Sequence, residues 1–213
     1  MPNPTDSPPL TGRRAQAARN DAVILDAARA VFLDDPKAPI AAVAERAGVG
    51  ISALYRRYAG KEDLLRKLCH DGLRRFVAAA EEAAADPDPW RAFAGFLERV
   101  VDADVHSLTV RLAGTFAPTE EMGRDAVRAN ELVAALVERA RDAGRLRPDV
   151  VTQDVGLLLE GCAAVRVPDP ERTRQLRRRH LAVLLAGLAV TEPSLPGPPP
   201  APGEFDWRWR RPE

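Results

Sequence analysis

The chain has 213 residues, 46% of them hydrophobic, and as many acidic as basic side chains. No apolar run reaches the ~18 residues that a membrane-spanning helix needs, and the first residues lack the apolar core of a secretory signal. The two cysteines, Cys69 and Cys162, make neither a disulfide framework nor a zinc motif, so membrane and disulfide-scaffold classes are set aside, no cofactor or metal is expected, and a reducing cytoplasm is the expected location.

Residues 1–12 are rich in Pro, Ser, Thr and Asn and read as disordered. A first helix is expected from Asn20 or Asp21, both good N-caps, with Ile24, Ala28, Val31 and Phe32 at helical spacing. Pro36 and Pro39 end it, and Pro39 suits the first turn of a second helix through "IAAVAERA". Gly48 is a natural C-terminal stop, Gly50 a weak N-cap, and "ISALYRRY" a third helix of about two turns. Gly60 ends it, and a long fourth helix opens at Lys61.

Two short helices joined by a glycine-containing turn describe a helix-turn-helix, whose second helix enters a DNA major groove. On that geometry Ala47, Val49 and Leu54 pack between the helices, while Ile51, Ser52, Ala53 and Arg56 face bases. Tyr55 and Arg57 lie where hydroxyl and guanidinium reach phosphates. Lys61 opposes the helix macrodipole unless a phosphate docks beside it. The charge is segregated to match: residues 12–75 carry net +5 and residues 76–170 net −7. A basic front on an acidic body points to a polyanionic partner for the front alone.

Further on, a fifth helix is expected from about Pro89 to Val105, with Trp90, Phe93, Leu97 and Val100 on one stripe. Asp104 continues that stripe, as do Leu108 and Arg111 if the helix carries on. A charge there is near a helix end, paired, or lining a cavity. Helix seven is expected to start after Thr119 and end at Gly144, with Asn130 grouped with Val127, Val133, Ala134 and Val137. Helix eight begins after Thr152, and helix nine at Asp169-Pro170 as N-cap and first residue. A small-molecule cavity between helices five to eight is expected, walled by Trp90, Phe93, Phe96, Phe116 and Met122, with Asp104, Arg111 and Asn130 as its polar groups; the alternative is an ordinary core with Asp104 and Arg111 paired.

Helix eight carries Val155, Leu158, Leu159, Cys162 and Val165, and helix nine Leu176, His180, Val183, Leu184 and Leu188, on apolar stripes. Gly156, Gly161 and Gly187 permit close backbone approach, so the pair is expected to form a four-helix interface with a second copy, with Arg177–Arg179 at its rim. The tail after residue 190 is proline-rich, and Trp207 and Trp209 can anchor it or be solvated.

The stretch "ILDAARAVFL…IAAVAERAGVGISALYRRYAGKEDLL" resembles the DNA-binding domain of the TetR family of bacterial repressors over residues 18–66. It is carried by the A-G-V turn, the L-Y pair and the K-E-x-L-L start of helix four. "GRLRPDVVTQDV" resembles, more loosely, the stretch before the last two helices in one subgroup. The resemblance implies phosphate contacts by Tyr55 and Lys61 and base contacts at Ile51, Ser52 and Ala53. This sequence departs from the family at Gly50, where Ser is common, at Arg57-Tyr58, where His-Phe is common, and at Pro39, where a Thr is usual.

The expected protein is thus all-α with about nine helices: a flexible arm (1–17), a three-helix DNA-binding domain (18–66), a larger effector-binding and dimerisation domain (67–190) and a tail (191–213). Its expected function is a ligand-responsive repressor, a homodimer on a palindromic double-stranded operator. The alternatives are a DNA-binding regulator without small-molecule control, and a helical enzyme using Asp102 and His106, which are four residues apart and can pair on one helical face. The enzyme reading lacks a placed nucleophile and a glycine-rich phosphate loop.

Overall fold

The computed structural model describes residues 11–112, 114–189 and 195–204, with side chains from residue 21 onward. The proline-rich residues 1–10, Trp207 and Trp209 lie outside them. Among the described residues there are nine α-helices and no strand. The chain divides into two compact units between Leu64 and Leu65.

The first unit holds α1 (Thr11–Asp34), α2 (Ile40–Ala47), α3 (Ile51–Arg57) and the start of α4 (Lys61–Ala84). Its core is Ile24, Ala28 and Phe32 of α1, Ile40, Val43 and Ala44 of α2, and Leu54 of α3. Helix α1 begins at Thr11 rather than at Asn20 or Asp21. The Ala- and Arg-rich residues before Asp21 propagate helix well, and the Asp21 carboxylate serves another part of the unit. It accepts a hydrogen bond from Arg57 Nε at 2.5 Å and one from the Tyr58 hydroxyl.

The turn between α2 and α3 follows from glycine chemistry. Gly48 sits at φ 65°, a left-handed conformation that a side chain would strain. Its N–H donates to Glu45 O at 3.1 Å and the next, from Val49, to Ala44 O at 3.0 Å. This is the Schellman arrangement, which satisfies the last carbonyls of α2. Gly50 caps α3 without a side-chain hydrogen bond, and Pro39 stands as N-cap of α2 rather than inside its first turn.

The second unit contains the rest of α4, α5 (Pro89–Asp102), α6 (Val105–Leu112), α7 (Glu120–Asp142), α8 (Thr152–Ala164) and α9 (Pro170–Leu188). Side-chain caps start three of these helices: Asp88 accepts from Arg91 N at 2.8 Å, Thr119 from Met122 N at 3.2 Å, and Asp169 from Glu171 N at 2.8 Å. Gly144, at φ 66°, ends α7 as its sequence predicts. The core gathers Phe93, Phe96, Leu97 and Val100 of α5, Val133, Leu136 and Val137 of α7, Val155, Leu159 and Cys162 of α8, and Leu181, Leu185 and Leu188 of α9.

Helix α5 stops at Asp102, short of the expected Val105. Asp104 adopts φ 51°, unusual for a residue with a side chain, and the chain restarts as α6. The break cancels the helical register beyond Val100, so Asp104 does not continue the apolar stripe. Its carboxylate accepts from Arg177 Nη1 at 2.5 Å and from the Ser107 hydroxyl. Arg177, expected at an interface rim, is buried instead and also donates to Val165 O at 2.9 Å and Ala163 O at 3.3 Å.

Candidate nucleic-acid interface and effector groove

Helix α3 is held by one buried side chain and presents the rest. Leu54 is fully buried, whereas Ile51 is 39% and Tyr55 52% exposed, with Ser52 and Arg56 exposed beside them and Ala53 half-buried. An isoleucine, a serine and an arginine left in solvent on one short helix supply the apolar contact, hydroxyl and cation that can meet base edges, and the exposed Tyr55 hydroxyl is a group that can reach a phosphate. The expected packing residues divide in the same way, since Leu54 is buried while Ala47 and Val49 are only half so.

Arg57 and Tyr58 hold this helix rather than extend its open face. Asp21 binds both, fixing the end of α3 against α1. The pairing with Asp21 raises the Arg57 pKa, and burial, followed by Asp21, raises that of the Tyr58 phenol. Arg57 remains 35% exposed at its side chain, so its guanidinium has an open edge besides the ion pair.

Lys61 is turned inward. Its Nζ donates to Pro36 O at 2.8 Å and lies 5.2 Å from the centre of the Phe32 ring. Loss of solvent lowers its pKa, with Asp35 opposing the shift. Sequence reasoning gave this ammonium to a phosphate alone; the structure gives it the carbonyl and ring that tie α4 to the end of α1. The first turn of α4 carries Glu62 and Asp63, and Asp63 accepts from Ala59 N at 3.2 Å. The role of Asp21 was legible only as a cap, because its partners lie 36 and 37 residues away.

In the second unit most of the aromatic and apolar walls expected of the cavity are core residues. Phe93 and Phe96 are fully buried core residues, and Phe116 and Met122 are buried at 3% and 6% exposure. Asp104 is paired with Arg177, Arg111 is exposed, and Trp90 packs at the core margin near Phe93. Of the expected polar groups, Asn130 lines a groove. It stands there with Phe76 of α4, Val133 of α7, and Gln153, Val155 and Leu159 of α8, around about 450 Å³. Residues Ala201–Glu204 complete the lining. Asn130 is exposed, as is Val127 at 60%, because the buried face of α7 runs through Ala129, Val133, Leu136, Val137 and Ala140.

Asp102 and His106 form no acid–base pair. The break at Ala103-Asp104 removes their shared helical face; Asp102 accepts from Arg178 Nε at 2.5 Å, and buried His106 places Nδ1 3.3 Å from Val100 O.

Residues 24–68 match the family described as bacterial regulatory proteins, tetR family, and residues 88–190 match the C-terminal domain of SbtR-like transcriptional regulators. No curated protein matches the sequence significantly. Among solved structures, the fold is similar to that of the TetR transcriptional regulator SCO0520 from Streptomyces coelicolor, at 25% identity over 81% of this chain and 99% of that one, with a TM-score of 0.56. A TetR regulatory protein from Mycobacterium vanbaalenii is similar at 27% identity over 83% of this chain and 99% of that one, TM-score 0.55. LfrR from Mycobacterium smegmatis, solved in complex with proflavine, is similar at 25% identity over 84% of this chain and 99% of that one, TM-score 0.57.

Proposed function

The chain belongs to the TetR family of bacterial transcriptional regulators, and from that premise we propose that it is a ligand-responsive repressor acting as a homodimer on a palindromic operator. It is a DNA-binding regulator by its domains; the finer statement rests on three features. The one that carries it is the open face of α3, where Ile51, Ser52, Tyr55 and Arg56 are all exposed around buried Leu54.

The second feature is the apolar surface left on the last two helices. Leu157 of α8 is 43% and Val183 of α9 64% exposed, with Leu158, Leu176 and Leu184 half-buried. A second copy related by a two-fold axis would cover this surface and bring two α3 helices to DNA half-sites about 34–36 Å apart. The third is the groove on α4, α7 and α8, with apolar walls and few polar groups, as a small-molecule site requires. The likeness to LfrR in its proflavine complex supports a ligand over a regulator without one. No helix among the described residues is long and apolar enough to cross a membrane, which agrees with action on cytoplasmic DNA.

Base reading is assigned to Ile51, Ser52, Ala53 and Arg56, and phosphate contact to Tyr55, to the open edge of Arg57 and, after release from Pro36 O, to Lys61. Arg56→Ala is expected to change base preference, costing about 1–3 kcal/mol at the base it reads. Tyr55→Phe should weaken all sequences alike. DNase footprinting across a salt titration separates the two, and a change of preference in Tyr55→Phe rather than Arg56→Ala would reverse the assignment.

Lys61→Ala should act twice. It removes a partly desolvated cation from Pro36 O and Phe32, so the first unit should lose about 1–2 kcal/mol, and the salt slope of DNA binding should flatten by about one. Paired denaturation and salt-titration curves check both arms. A flattened slope at unchanged stability would restore the simple phosphate-clamp reading; lost stability at unchanged slope would make Lys61 structural only.

A further inference from the structure

The described part of the proline-rich stretch beyond α9, residues 195–204, is hydrogen-bonded to the second unit through its first residue, whose N–H donates to Asp149 Oδ2 at 2.7 Å. Asp149 is itself gripped by Arg147, whose Nε and Nη2 reach its two oxygens at 2.6 and 3.0 Å. Arg147 is buried at 5% exposure, and its N–H donates to Leu188 O at 3.1 Å, tying the grip to the end of α9. Hydrogen bonding from Arg147, then from the Leu195 amide, lowers the Asp149 pKa to about 2, so the carboxylate remains a charged acceptor at any pH where the protein works.

At its far end the segment closes a tight turn. Glu204 N–H donates to Ala201 O at 3.1 Å, Ala201 N–H donates to Glu204 Oε2 at 2.7 Å, and Gly203 takes φ 74°. Pro196, Pro198, Pro199 and Pro200 lie between Leu195 and this turn. Proline fixes φ, so this length is stiff before it docks and loses little entropy on docking. The turn residues Ala201–Glu204 lie against the groove formed by α4, α7 and α8.

We propose that Leu195–Glu204 is a strap that forms the outer wall of the effector site, and that the site it completes takes a hydrophobic cation. This rests on the effector reading given above and adds a wall, a ligand charge and a fixed segment to it. The floor is apolar, built from Phe76, Val133, Val155 and Leu159, with the ring of Phe76 set edge-on to Phe96 at 5.1 Å. The charged group of the described lining is acidic, Glu204, and the neighbouring trough, which also includes Glu204, adds Asp154, while the charge of Asp149 there is offset by Arg147. Basic side chains are absent from the described lining of either. An apolar floor beside carboxylates attracts a flat cation and repels an anionic acyl chain of equal hydrophobic area.

The test uses the full chain and two fluorescent probes of opposite charge, rhodamine 6G as the cation and 8-anilinonaphthalene-1-sulfonate as the anion. Wild type should bind the cation at least about tenfold more tightly. Glu204→Gln should weaken the cation about threefold and leave the anion unchanged or tighter, as expected for one partly screened charge. Leu195→Pro removes the amide that Asp149 holds together with the leucine side chain, leaves Arg147–Asp149 intact, and should weaken the cation at least about fivefold with an unchanged melting temperature, whereas Leu195→Ala, which keeps the amide, should bind it nearly as wild type does. Equal binding of the two probes, no binding of either, or wild-type binding by both Glu204→Gln and Leu195→Pro would overturn the proposal. Footprinting with the dye present reads the effector function separately: a bound cation that leaves DNA protection intact keeps the strap site and rejects ligand-controlled release.

Discussion

Val183→Glu is expected to yield a helical monomer that binds operator DNA about a hundredfold or more weakly than wild type. Val183 is 64% exposed on α9 and Leu157 43% exposed on α8, so in a lone chain both apolar side chains face water. Replacing Val183 therefore removes nothing from the chain's own core. In a two-fold dimer, by contrast, each copy contributes one new carboxylate, so two charges enter the same desolvated interface. Either burial without a partner or the shift to a neutral acid costs several kcal/mol, enough to dissociate a micromolar dimer. Loss of the dimer removes the high effective concentration of the second DNA-binding domain, a factor of about 10²–10⁴. Leu184 is the less informative position. It is half-buried and packs against the core of its own unit, so a charge there disturbs folding and assembly together. Sedimentation and footprinting decide the matter: a Val183→Glu protein that sediments as a dimer and protects operator normally rejects this interface.

The first unit was legible in the sequence because its determinants are local. Gly48 and Gly50 two residues apart, Pro39 before an apolar run, and Leu54 alone among exposed neighbours each specify backbone or burial within one or two turns. The exposed face of α3 followed from them. The roles of Asp21 and Lys61 did not, because each depends on a partner across the unit: Tyr58 and Arg57 for one, Pro36 for the other. In the second unit, helix starts were read correctly wherever a side chain caps the first turn, as Thr119 and Asp169 do. Periodicity marks a phenylalanine as inward-facing but cannot tell a packed neighbour from an empty one. Phe93 and Phe96 meet other core side chains, and the groove lies instead where α7 and α8 leave Phe76 partly uncovered. The same limit applies to the α8 and α9 stripes: Val155, Leu159, Cys162 and Leu188 are consumed by the chain's own core, which leaves Leu157 and Val183 for a partner.

Arg177→Ala should be among the most destabilising single changes in the second unit, by about 3 kcal/mol or more. The side chain is 7% exposed and the partner Asp104 26%, so the pair stands mostly out of solvent. One guanidinium joins three segments: Asp104 at the break between α5 and α6, and the carbonyls of Ala163 and Val165 at the end of α8, all from a position on α9. Removing the cation takes one donor from those acceptors and from Asp104, and breaking a buried pair from one side costs about 3–5 kcal/mol. The partial exposure of Asp104 places the value toward the lower end. The converse substitutions separate charge from backbone. Asp104→Asn keeps an acceptor and tolerates the left-handed φ of 51°, so it should lose only about 1–2 kcal/mol. Asp104→Ala loses the acceptor and keeps the strain, whereas Asp104→Gly loses the acceptor but relieves the strain, and should be the milder of the two by about 1 kcal/mol. The predicted order of stability is therefore wild type, Asn, Gly, Ala at position 104, with Arg177→Ala grouped near the last. Urea unfolding followed by far-UV circular dichroism measures it. An Arg177→Ala midpoint within about 1 kcal/mol of wild type would show that the corner between α5 and α6 is held by its apolar packing, and that the ion pair only decorates it.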